Sequence, residues 1–99
     1  MSVEGDWDVT IKTPIGSLAV GYTFSRADGG LTGTATYKDE TVALEGISVS
    51  GDRVTWRQAV TKPMRLNLAF DVVVTDDGLS GHSRAGRLPR SAVTGRRRR

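Results

Sequence analysis

Apolar and polar positions alternate along most of this chain. Trp7, Val9 and Ile11 share one parity, with Asp6, Asp8, Thr10 and Lys12 on the other, and Leu18, Val20, Tyr22 and Phe24 form a second apolar row. Leu31, Gly33, Ala35 and Tyr37 make a third, set against Thr32, Thr34 and Thr36. A fourth row begins with Val42 and Leu44 and then changes parity to Ile47 and Val49. One extra residue in a strand does this, so a β-bulge is predicted at Glu45-Gly46. Val54, Trp56, Gln58 and Val60 form the fifth row, and Met64, Leu66, Leu68, Phe70, Val72 and Val74 the sixth. Leu79, Gly81 and Ser83 form the seventh, and Val93 anchors a short eighth. A period of two puts each row on one face of a strand, and nowhere do apolar residues recur at helical spacing over three turns. The chain is predicted to be all-β.

Turn chemistry separates these rows. The signals are Thr13-Pro14-Ile15-Gly16, Ala27-Asp28-Gly29-Gly30, Lys38-Asp39-Glu40, Ser50-Gly51-Asp52, Lys62-Pro63, Asp76-Asp77-Gly78 and Ala85-Gly86-Arg87-Leu88-Pro89. Gly supplies positive φ, Asp bonds its own backbone, and Pro presets φ while removing a donor. One apolar row per strand means one buried face. Successive hairpins without a long crossover predict an eight-stranded antiparallel up-and-down β-barrel, with a two-sheet β-sandwich as the alternative. Asp28-Gly29-Gly30-Leu31-Thr32-Gly33 is echoed by Asp76-Asp77-Gly78-Leu79-Ser80-Gly81. Either a duplication of four strands or two hairpins with the same turn chemistry accounts for this.

The 99 residues fit one domain, expected over 1–96 and followed by a basic tail at 97–99. No Cys is present, which excludes disulfides, thiolate metal sites and cysteine nucleophiles. The opening MSVEGDWDV carries no basic segment followed by an apolar run, so no signal peptide is expected. A cytoplasmic setting without membrane contact is the corresponding expectation. The net charge of +3 is unevenly divided. Residues 1–83 hold seven Lys or Arg and eleven acids, giving −4, whereas residues 84–99 hold seven Arg and no acid, giving +7. The terminal Arg96-Arg97-Arg98-Arg99 reads as a solvated end making weak, non-specific contact with polyanions. Its last three arginines are expected to project beyond the final strand pairing and to be dispensable for folding.

Gly5-Asp6-Trp7 on the first strand, followed by Ala27-Asp28-Gly29-Gly30-Leu31-Thr32-Gly33-Thr34, resembles the opening of avidin- and streptavidin-like barrels. The Gly-x-Trp element is also similar to the first strand of lipocalins. Both belong to the calycin group of ligand-holding barrels, and the whole chain further resembles small bacterial proteins of about this length. The resemblance covers roughly the first third of the chain. It implies a barrel with a pocket and Trp7 as a plug at one end. Biotin binders of the group line their site with several Trp, whereas this chain has only Trp7 and Trp56.

Candidate chemistry is sparse. The single His82 has outward parity and reads as a rim general base or as a surface residue. One His and no Cys leave no expected metal site, and no cofactor is expected. Gln58 lies on an inward row between Trp56 and Val60, and Tyr22 and Tyr37 are inward as well, so each needs a hydrogen-bond partner. An apolar lining with a few polar handles is how small-molecule sites are built. A side-chain network closed on itself inside a filled barrel is the competing reading. The expected ligand-binding set is Trp7, Tyr22, Tyr37, Trp56, Gln58, Met64, Leu66, Leu68 and Phe70. The function expected from it is binding of an apolar or amphipathic small molecule in the barrel interior. One alternative is a cofactor-free cyclase or isomerase acting on a metabolite inside the barrel. The other is a structural homo-oligomer packed through its threonine faces and small residues such as Ala19 and Gly21.

Overall fold

The computed structural model of the chain describes residues 3–13, 16–27, 29–60 and 66–98. Nine strands and no helix occur among them: β1 (Gly5–Thr13), β2 (Gly16–Ala27), β3 (Gly30–Tyr37), β4 (Glu40–Ala43), β5 (Glu45–Ser50), β6 (Arg53–Val60), β7 (Leu66–Val74), β8 (Gly78–Ala85) and β9 (Ser91–Arg97). All pairings are antiparallel, and the order across the single sheet is β4-β3-β2-β1-β9-β8-β7-β6-β5.

That order fixes the overall shape. β4 and β5 are the two edges of the sheet, yet they are consecutive in the chain and joined by Leu44 alone. Laid flat, nine strands would span about 38 Å at the usual spacing, which a one-residue link cannot bridge. The sheet therefore curls until its edges meet, giving a nearly closed barrel. The Leu44 N–H donates to the Gly33 carbonyl at 2.9 Å, extending the β3–β4 ladder by one residue, and β3 and β4 come into contact with β5 and β6 across the seam. One continuous hydrogen-bonded sheet excludes the two-sheet sandwich, and a nearly closed antiparallel barrel fits the calycin-like architecture.

The strand count is nine rather than eight. The fourth expected strand is interrupted at Leu44, and the register slips between Glu45 and Ser48, around Gly46 at φ 60°. The extra residue lies where the parity change pointed. Its effect is larger than a local bulge, because the two halves leave for different neighbours, β4 to β3 and β5 to β6.

The inward rows form one core. Trp7, Val9, Ile11, Val20, Tyr22, Phe24, Ala35, Val54, Trp56, Phe70, Val72, Val74, Leu79 and Val93 are all buried. The echoed glycines serve the same end in both hairpins. A Cβ on Gly33 would sit 2.9 Å from Leu44 Cδ1 and 3.1 Å from Phe24 Cδ1, while one on Gly81 would overlap the Asp71 carbonyl oxygen and lie 2.6 Å from Val72 Cα. On the outside of β2, β3 and β4, Ser17, Ala19, Thr23, Ser25, Thr32, Thr34, Thr36, Thr41 and Ala43 form an exposed face of uncharged side chains, bordered at Gly21 by the Arg98 guanidinium.

At the Trp7 end the C-terminus closes the structure. β9 runs to Arg97, and the Arg97 N–H donates to the Asp77 carbonyl at 2.8 Å, as the Arg98 N–H does to Asp6. Arg97 shares the inward parity of Val93 and Gly95. Its guanidinium lies over the fully buried Trp7 ring, 4.4 Å from the centroid, and donates to the Glu4 carbonyl at 2.6 Å. The Trp7 indole N–H in turn donates to the Val3 carbonyl at 2.8 Å. The Arg98 guanidinium pairs with Asp8, whose carboxyl that hydrogen bond holds below the usual range. Arg97 thus does not project as a solvated end, and Arg98, though exposed, is tied to Asp6 and Asp8.

Two stability predictions follow from this packing. Gly81→Ala forces β7 and β8 apart and should cost ~1–3 kcal/mol, as overpacking does, read as a lowered midpoint in urea. Arg97→Ala removes a partly desolvated cation–π contact and a charged hydrogen bond, together worth ~2 kcal/mol. Thermal unfolding should then shift down by about 8 °C or more. An unchanged melting temperature would return Arg97 to the dispensable tail.

Candidate functional site

Three strands converge on the middle of the barrel. Tyr22 from β2, Trp56 from β6 and Phe70 from β7 meet with Phe24 in one aromatic cluster. Trp56 and Phe70, register partners across β6–β7, stack at 4.9 Å and 8° between rings. Tyr22 meets Trp56 at 5.4 Å, and Phe24 packs edge-on to Trp56 at 5.3 Å. Each of the four is 2% exposed or less, so the rings fill the centre of the barrel.

A polar pair caps this cluster toward the opposite end. The Tyr22 hydroxyl donates to Gln58 Oε1 at 2.7 Å, linking β2 to β6, which lie far apart in the sheet but face each other across the barrel. Burial pushes the Tyr22 hydroxyl well above the usual tyrosine range, and the Gln58 amide and Trp56 indole offset only part of this. The Trp56 N–H itself makes no hydrogen bond of good geometry. It lies near enough to the Tyr22 oxygen to favour negative charge there, without the alignment of a true bond.

Beyond Gln58 toward the Tyr37 end, inward positions are partly exposed. Leu68 is the register partner of Gln58, and both Leu68 and Tyr37 pack against the core from half-buried positions. The Lys38 ammonium stands 5.5 Å from the Tyr37 ring centroid. Leu18 on β2 is 36% exposed although it sits on the inward row. Buried Ser83 on β8, the register partner of Phe70, adds a third polar side chain to the interior. The structure therefore brings together Tyr22, Trp56, Gln58, Leu68 and Phe70, with Tyr37 farther toward the rim. Trp7, the register partner of Tyr22 on β1, is sealed under Arg97. Leu66 opens β7, its side chain outside the described residues, and Met64 lies outside them altogether.

Two open depressions lie away from the interior. One, about 520 Å³, spans the outer side of β6–β8 beside Gly46, Thr55, Arg57, Ala69, Asp71, His82 and Arg84. The other, about 470 Å³, lies at the Trp7 end beside Asp77, Gly78, Gly95, Arg96 and Arg97. His82 faces Asp71 in register across the β7–β8 hairpin, so it does have a carboxylate neighbour. That carboxyl is held below its usual range, first by its hydrogen bond from Arg53 and more weakly by the fields of Arg53 and His82. The pairing was legible from the Asp76-Asp77-Gly78 turn, since a tight hairpin there sets residue 71 opposite 82. No family model, curated protein or solved structure matches this chain.

The Tyr22 shift has a sign that can be measured. Folding holds the phenol neutral, whereas an unfolded tyrosine ionises near pH ~10. The contribution is fully present below that pH and is lost as pH rises toward the folded value. Stability should thus fall by up to ~1.4 kcal/mol per pH unit above about pH 10. In Tyr22→Phe this component of the alkaline decline should vanish in denaturant melts taken across that range; an identical decline in both proteins would place the shift elsewhere.

Proposed function

We propose that this calycin-like barrel binds an apolar or amphipathic small molecule at its Tyr37 end, above the aromatic cluster. A barrel fold of this kind is compatible with such a role. The observation that carries the reading is the buried Tyr22–Gln58 pair, 2.7 Å apart, from facing walls. It forms a polar floor beneath the half-buried apolar surface of Leu68 and Tyr37. Gln58 retains amide donors beyond its bond to Tyr22, and a ligand oxygen would suit them, while the apolar walls suit a hydrocarbon or aromatic body. The filled centre limits the ligand to a shallow seat, so Trp7 acts as a plug rather than as a contact.

A second reading has its own support. The uncharged outer face of β2–β4 suits self-association, since flat surfaces of small residues pack closely without desolvating charge.

Native mass spectrometry of protein purified from its source addresses both. The expected spectrum carries an added small-molecule mass on wild type that is lost from a folded Tyr22→Phe, Gln58→Leu double variant. Wild-type protein with no added mass would overturn the ligand reading, and a ligand-free dimer would favour the second.

A further inference from the structure

The outer side of β6–β8 carries a pair of arginines that the interior does not use. Arg57 on β6, Ala69 on β7 and Arg84 on β8 are in register, Arg57↔Ala69 and Ala69↔Arg84. Residues in one cross-strand row leave the sheet on the same side, so the two arginines stem from either side of a small residue, with Cα positions about 10 Å apart. The row crosses the depression of about 520 Å³ described above.

Each side chain lies against its own neighbour. Arg57 lies across the bulge, and a Cβ on Gly46 would fall 2.9 Å from its Nη2 and 3.4 Å from its Cζ. Only glycine leaves that space, at a φ of 60°. The Arg84 Nε–H donates to the Leu88 carbonyl at 3.1 Å, which orients the guanidinium and leaves its terminal N–H groups free. Neither arginine forms an ion pair among the described residues. The nearby acids do not cancel them: Asp71 is taken by Arg53, and Glu45, opposite Arg57 in register, makes no ion pair with it. By contrast Arg97 and Arg98 are matched to Asp77 and Asp8. Arg57 and Arg84 thus place unmatched cationic charge on this wall, with Thr55 and His82 beside it.

We infer that this groove binds the phosphate of a small phosphorylated ligand, gripped between Arg57 and Arg84. Two forked donors fit the tetrahedral oxygens of a phosphate. This site is on the outer wall and is independent of the seat proposed above the aromatic cluster.

The test is titration of the full chain, labelled with nitrogen-15, with inorganic pyrophosphate at low ionic strength. Saturable amide shifts are expected at Gly46, Thr55–Arg57, Ala69–Asp71 and His82–Arg84. Arg57→Gln with Arg84→Gln should retain the circular dichroism spectrum and melting temperature while weakening binding at least ~10-fold, about 1.4 kcal/mol. Arg57→Lys with Arg84→Lys keeps the charge but loses the fork, and it should also bind several-fold more weakly. Arg96→Gln should change nothing. Shifts centred on Arg96–Arg98, equal binding by the lysine variant, or binding of a single-stranded oligonucleotide with none of pyrophosphate would each overturn the proposal.

Discussion

Most of this structure depends on a one-residue link. Leu44 joins the two edge strands of a nine-stranded sheet, and a covalent link that short forces the sheet around on itself. Closure then decides what happens at the seam. The chain must leave β3 as a partner and take up β6 within a few residues, so the pairing register breaks, and Gly46 supplies the positive φ that the break needs. Gly33 must be bare on the facing strand because Leu44 Cδ1 fills its Cβ position. An ordinary eight-segment meander would leave two open edges, which invite pairing with other chains; here the strand that breaks is the device that removes most of that exposure.

Closure also sets the interior volume. A barrel of this size has room for side chains and little else, and four aromatic rings take the centre. Any polar group admitted there must find its partner inside, because an unpaired one costs about 1–3 kcal/mol. The Tyr22 hydroxyl and Gln58 amide meet that requirement across the barrel. The Trp56 indole N–H only half meets it, and that incomplete satisfaction marks the boundary between filled core and the less buried end. The opposite end is shut from outside by Arg97, which is the last residue of the last strand and reaches over Trp7 on the first. Termini brought together in this way pin β1 and β9 along their full pairing.

The fold was largely legible in the residue pattern because strand parity is a local property. Among the described residues the positions named inward from alternation are buried or half-buried, except for Leu18 and Val49, which are exposed, and even the parity change at Glu45-Gly46 reported a real break. That one strand would become two was not legible, since it depends on which neighbours the halves meet. The arginine end misled for a related reason. A run of four arginines reads as solvated charge, yet the partners of Arg97 are Glu4 and Trp7, some ninety positions away in sequence. The clue was parity again: Val93, Gly95 and Arg97 share a row, and the row is inward. Within the site, Gln58 and Tyr22 were each legible as inward polar residues in need of a partner. Their mutual bond was not, because β2 and β6 touch only across the closed interior.

Strand β6 shows how tightly these features are bound together. Val54, Trp56 and Gln58 face the core, while Arg53, Thr55 and Arg57 face out, so one short segment serves both the aromatic interior and the cationic wall. A slip of one residue would exchange the two sets, burying three polar side chains and exposing Trp56. What prevents the slip is the pairing of β6 on both sides, with β7 in regular register and with β5 through the bulge. The same bulge leaves Gly46 bare beneath the Arg57 guanidinium. The irregularity that lets the barrel close is therefore also what gives that arginine its place on the outer wall.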